Sequence, residues 1–83
     1  FDGQISVEGH TDSVPISTAR FPSNWELSSA RAAAVGQALI DSSSIAESRF
    51  VLEAYGAAKP YVSNSSPYNR SKNRRVEIII TKP

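Results

Sequence analysis

Ser23-Asn24-Trp25-Glu26-Leu27-Ser28-Ser29-Ala30-Arg31-Ala32-Ala33-Ala34-Val35-Gly36-Gln37-Ala38-Leu39-Ile40 reads as the main helix of the chain. Ser23 followed by Glu26 is a capping-box pattern, which satisfies two orphan backbone donors where the helix begins. The alanines after it are the best helix formers, and Asp41 with the three serines behind it ends the pattern. On a wheel of about 100° per residue, Leu27, Ala34, Val35, Ala38 and Leu39 fall in one apolar stripe, with Arg31 in its middle. A guanidinium cannot shed its proton, and an unpaired charge on a buried face is too costly to keep. Arg31 therefore requires an anionic partner, a route to the open end of the helix, or both.

Upstream, Gln4 to Gly9 alternates, with Ile5 and Val7 on one side and Ser6 and Glu8 on the other, which is the period of a strand. It runs into Gly9-His10-Thr11-Asp12, and Ser13 to Pro22 is a loop with two prolines. Downstream, Asp41 to Ser48 is a serine-rich turn, and Arg49 to Tyr55 reads as a second strand closed by Gly56. Strand, helix and strand at this spacing make a βαβ unit with parallel strands and a right-handed crossover. Ala57 to Lys72 reads as a long loop, and a loop of that length is commonly functional. Arg75 to Thr81 is a third strand, with Val76, Ile78 and Ile80 on one face; its apolar content predicts a central position, and its direction is left open. The expected class is α+β, a two-layer α/β sandwich with a βαβ unit and a further strand in a mixed sheet. One helix covers such a sheet poorly, so an additional strand or helix is expected upstream of Phe1 or from a partner chain.

With 83 residues and a formal net charge of +1, the chain suits one small domain and carries no global field for nucleic acid or anionic membrane. No apolar run approaches the roughly 20 residues of a membrane span, and no stretch resembles a signal peptide. Cysteine is absent, which removes disulfides, thiol nucleophiles and thiolate metal sites.

Asp12, just past the carboxyl end of the first strand, is the leading candidate for the partner of Arg31, because ligands of βαβ sheets bind at that edge. Two readings stay open. The pair can be an internal salt bridge, or it can hold a ligand bearing both charges, Asp12 taking an ammonium and Arg31 a carboxylate through two parallel N–H bonds. A metal on His10 and Asp12 would need three or four protein ligands, and the others are not found. Hydrolysis would need a nucleophile, a base and an orienter, yet there is a single histidine and no Gly-x-Ser-x-Gly elbow. Lys72, Arg74 and Arg75, with Arg70 just before them, form a basic cluster. A nucleic-acid patch would carry more charge and more stacking aromatics than Tyr61 and Tyr68, so the cluster reads as solvated, or as lending Arg74 or Arg75 to the crevice of Asp12.

Three blocks, Ile5-Ser6-Val7-Glu8-Gly9-His10-Thr11-Asp12, Asn24-Trp25-Glu26-Leu27-Ser28-Ser29-Ala30-Arg31-Ala32 and Asn73-Arg74-Arg75-Val76-Glu77-Ile78, together resemble the OmpA-like peptidoglycan-binding domain. The run Phe21-Pro22-Ser23-Asn24-Trp25-Glu26-Leu27-Ser28 is most similar to its MotB/PomB branch, the stator subunits of the flagellar motor. The resemblance implies a noncatalytic, cofactor-free and metal-free periplasmic domain over residues 1–83, the C-terminal part of the family domain, whose first strand and helix would lie upstream of Phe1. It implies that Asp12 and Arg31 hold diaminopimelate in the cell-wall peptide, that Thr11 and Asn24 line the same site, and that Arg74 contributes. The implied partners are peptidoglycan, a second copy in a homodimer, and a membrane-embedded stator partner, with the full-length protein anchored in the inner membrane and no nucleic acid bound. The alternatives are an OmpA-like anchor of an outer-membrane protein or lipoprotein, and a dimerisation module closed by an internal Asp12–Arg31 bridge.

Overall fold

β1 (Gln4–His10) is the middle strand of the sheet. The computed structural model describes residues 2–83. After β1 come α1 (Asn24–Ser42), a 3₁₀ turn (Glu47–Arg49), β2 (Phe50–Ala54), α2 (Pro67–Asn73) and β3 (Arg75–Thr81). β2 runs parallel to β1 with Val7 opposite Leu52, as the βαβ reading requires. β3 runs antiparallel on the other side, with Val7 opposite Ile78 and His10 opposite Arg75. The sheet is mixed, in the order β2-β1-β3.

The third strand is thus an edge strand, not the central one its apolar content predicts. Ile78 and Ile80 share the helix-facing side with Val7 and Ile5 by register, but α1 packs chiefly over β1 and β2. They stay 47% and 61% exposed. The chemistry of the strand records which layer it faces, not how far the helix reaches across it. No helix among the described residues is long and apolar enough to cross a membrane.

The face that α1 turns to the sheet is Ser28, Ala32 and Gly36, all buried, with Val35 and Leu39 beside them on the core of Ile5, Val7 and Ala32. Ala34 and Ala38 of the expected stripe are exposed. The reason is distance of approach. A Cβ on Gly9 would lie 2.8 Å from the carbonyl carbon of Ser28, and one on Gly36 would run into the Leu52 side chain. Backbones that close select small residues, and the larger apolar ones flank the contact. Arg31, one residue before Ala32, therefore points about 100° away from the middle of the buried face. It is exposed.

The start of α1 follows the sequence. Ser23 is the N-cap; its hydroxyl accepts from Trp25 N–H at 3.2 Å and donates to the Glu26 carboxylate. That bond holds the Glu26 carboxyl below the usual carboxylate range. A carboxyl depressed on folding adds stability above its ordinary pKa, and that stability is lost as pH falls through the depressed value. Ser23→Ala should cost about 1 kcal/mol of stability in urea unfolding and move the Glu26 titration, followed by NMR, upward toward the usual carboxylate range.

α2 lies in the segment that reads as a loop. Its own signals are a cap at Ser66, whose hydroxyl accepts from Asn69 N–H, and a proline at the first helical position, both ordinary helix-start chemistry.

Candidate functional site

β1 ends in a polar turn that is pinned on every side. Tyr55 N–H donates to the Gly9 carbonyl at 3.0 Å, and Thr11 N–H donates to the Gly56 carbonyl at 2.8 Å. Gly56 adopts a φ of +56°, a left-handed conformation suited to glycine, and its own N–H donates to the Ser28 hydroxyl at 3.0 Å. Helix, β2 exit and β1 exit are thus bolted together where Thr11 and Asp12 emerge.

Asp12 is 8% exposed. One carboxylate oxygen accepts from Val14 N–H at 3.0 Å, an Asx turn that sets the carboxylate's direction. The other accepts from the Arg74 guanidinium at 2.7 Å. Thr11 donates its hydroxyl to the Asp12 carbonyl at 2.9 Å. Asn24, the first residue of α1, donates its amide to the Val14 carbonyl at 3.1 Å and to the Asp12 carbonyl at 3.4 Å.

A second support comes from α2. Asn73, fully buried, accepts from the N–H groups of Tyr61 and Val62 and donates to the Val62 carbonyl and the Asn64 side chain. Asn64 in turn accepts from Ser13 N–H at 3.2 Å, which ties the 57–73 segment to the turn after β1. Arg70 donates to the Asn64 carbonyl at 3.1 Å.

Together these elements enclose a cavity of about 470 Å³, lined by Thr11, Asp12, Val14, Pro15, Ile16, Asn24, Leu27, Arg31, Pro67, Arg70 and Arg74. All five residues singled out in the sequence, Thr11, Asp12, Asn24, Arg31 and Arg74, lie on its wall. The pairing within it differs from the expected one. Asp12 bonds to Arg74, and the Arg31 side chain makes no ion pair or hydrogen bond among the described residues. The internal Asp12–Arg31 bridge is therefore corrected. Arg31 reaches the cavity from the rim of α1, where it needs no counter-ion to be tolerated.

The chain matches the model of the OmpA family over residues 2–74. It belongs to the OmpA family. Among curated proteins it is 49% identical over 78 residues to the uncharacterized protein YtxE of Bacillus subtilis, covering 94% of this chain and 32% of that protein. It is 43% identical over 76 residues to motility protein B of the same organism, covering 92% and 29%. It thus spans about a third of the length of these relatives. The solved cell wall anchor of the type VI secretion system from Pseudomonas aeruginosa superposes with a TM-score of 0.84 at 44% identity, covering 95% of this chain and 54% of that one.

This OmpA-family cavity owes one wall to α2, whose Arg70 reads in the sequence as part of a solvated basic cluster. Pro67, Arg70 and Arg74 are spaced as one face of α2, and all three line the cavity. The rest of the cluster goes elsewhere. Lys72 sits 4.5 Å over the Tyr68 ring, and Arg75 bonds to Glu77 at 2.7 Å. The cap at Ser66 and the proline after it were the signal that could have placed Arg70.

His10 does not line the cavity that Asp12 does. It is 1% exposed, stacked on Tyr55 with ring centroids 5.2 Å apart, and its Nε2 lies 3.4 Å from Glu8 and 3.6 Å from Glu77. His10 and Asp12 therefore do not share a site, in keeping with the missing further ligands that count against a metal there. The ligand atoms of Glu8, His10 and Glu77 do lie within 4.8 Å of one another, but Arg75 already supplies Glu77 with a cation. Nearby, the Tyr55 hydroxyl donates to Glu53, and this bond raises the phenol to about 12.

Proposed function

We propose that this chain grips the diaminopimelate-containing peptide of peptidoglycan without catalysis, and so anchors a flagellar stator subunit to the cell wall. The observation that carries the reading is one cavity holding a buried, directed carboxylate and an exposed guanidinium with no partner of its own among the described residues. Such a site fits a zwitterionic amino-acid end. The ligand's ammonium takes the Asp12 oxygen now held by Arg74, and its carboxylate takes two parallel N–H bonds from Arg31. Asn24 and Thr11 act on the same site by fixing the backbone that carries Asp12. Displaced from Asp12, Arg74 turns to the ligand's anionic groups.

The family match and the resemblance to motility protein B support a place in the periplasm. To this the proposal adds an inner-membrane anchor, a membrane-embedded stator partner contacted through segments outside this chain, and a second copy completing a homodimer. The resemblance to a cell wall anchor supports the grip itself. Nothing lining the cavity forms a nucleophile–base pair: Thr11 spends its hydroxyl on the Asp12 carbonyl, and His10 lies against Glu8 and Glu77.

Pull-down on purified peptidoglycan tests the reading. Arg31→Ala should lose retention, and Arg31→Lys should recover only part of it, since lysine cannot form the paired bonds. Both variants should keep the wild-type circular dichroism and melting temperature, because the exposed Arg31 supports nothing internal. Equal retention by wild type and Arg31→Ala rejects the proposal.

A further inference from the structure

The cavity holds more positive charge than a zwitterionic end can use. Arg31, Arg70 and Arg74 face a single carboxylate, Asp12. Asp12 neutralises one guanidinium, and a zwitterion, with no net charge, leaves two uncompensated. Arg70 is also anchored independently of that carboxylate. It stands on α2 one turn before Arg74, and one of its N–H groups is committed to the Asn64 carbonyl at 3.1 Å. Asn64 itself is fixed by Asn73 at 2.8 Å and by Ser13 N–H at 3.2 Å. A guanidinium has five N–H donors in a rigid fork, so Arg70 keeps donors to spare while its position is set. Pro67, one turn earlier on the same face, also lines the cavity.

We propose that Arg70 is a second anion subsite, specific for a further free carboxylate on the ligand beyond the zwitterionic end. Resting on the reading above, this makes the preferred ligand an acidic peptide with one ammonium and at least two carboxylates. In a wall peptide the carboxylate that fits is that of the acidic residue next to the diamino acid, and conversion of that acid to its amide removes the charge that Arg70 reads. The domain then discriminates between free-acid and amidated wall peptides.

The probes are two synthetic tripeptides, N-acetylalanyl-isoglutamyl-diaminopimelate and its isoglutaminyl counterpart, each with the carboxyl at the peptide-linked end of diaminopimelate amidated so that only the isoglutamyl carboxylate differs, titrated calorimetrically into the purified chain. Wild type should bind the free acid about tenfold more tightly, the size of one charge-assisted hydrogen bond. Arg70→Gln, which keeps a donor for the Asn64 carbonyl, should bind both peptides equally, the preference for the free acid being lost. Equal binding of both peptides by wild type, with both lost in Asp12→Asn, overturns the Arg70 subsite and leaves the zwitterion site standing. A preference that survives in Arg70→Gln also overturns it. Binding of neither peptide by wild type removes the underlying reading, and the Arg70 subsite with it.

Discussion

Asp12→Ala is expected to reduce affinity for a diaminopimelate peptide by a hundredfold or more, about 3 kcal/mol, within the range for removing one member of a desolvated charge pair. The loss has two parts. The ligand's ammonium loses its only anionic partner in the cavity, and the cavity is left with three guanidiniums and no carboxylate. Stability should respond far less. Arg74 is 45% exposed along its side chain, and an ion pair with so open a partner contributes little, about 1 kcal/mol or less. Asp12→Asn separates charge from turn geometry. It retains an oxygen for Val14 N–H, so it should fold like wild type while losing nearly as much affinity. Calorimetric titration beside urea unfolding of the three proteins measures both. A variant that binds normally would show that the carboxylate serves only the Arg74 bridge.

Gly9→Ala should be the most damaging single methyl in the chain. At an ordinary strand position, glycine to alanine is neutral or mildly stabilising, because it reduces the freedom of the unfolded chain. Here the added carbon would run into the Ser28 carbonyl, a backbone group inside α1 that cannot rotate aside. Relief requires α1 to move off β1, which opens the contact made by Ser28, Ala32 and Gly36. The expected cost is at least ~3 kcal/mol, lowering the melting temperature by roughly 12 °C or more for a domain of this size. Scanning calorimetry gives the sign directly. The same shift should weaken ligand binding, since Thr11 and Asp12 follow Gly9 directly and Gly56 is bonded to both Thr11 and Ser28.

Much of this architecture was legible in the residues. The alternation of Ile5 and Val7, the cap at Ser23 and the spacing to Phe50 define a βαβ unit from local chemistry alone. The face of α1 was not legible from hydrophobicity, because the contact with β1 is chosen by volume. Ser28 and Gly36 are there because they are small, and Arg31 drops out of the buried stripe as a result. The edge position of β3 depends on where α1 lies across the sheet, which no property of Arg75–Thr81 encodes.

The site was legible in membership but not in pairing. Asp12 at the end of β1 and Arg31 on the next helix follow from the βαβ geometry. Arg74 as the partner of Asp12 depends on the direction of β3. The antiparallel register sets His10 opposite Arg75, so the residue before Arg75 meets the turn after β1, and a parallel third strand would have sent it to the far end. Arg70 stayed hidden because Asn, Ser and Pro dominate residues 57–73 and read as loop. The cap at Ser66 and the proline beside it outweigh that composition locally.

The most direct measurement is a two-dimensional amide NMR titration of the chain with the free-acid diaminopimelate tripeptide. The account predicts saturable shifts grouped at Thr11, Asp12, Asn24, Arg31, Arg70 and Arg74, with Glu8, His10 and Glu77 on the other side of the sheet left unmoved. Shifts grouped instead at Glu8, His10 and Glu77, or no saturable shift at ligand concentrations that hold the protein on intact peptidoglycan, would contradict it.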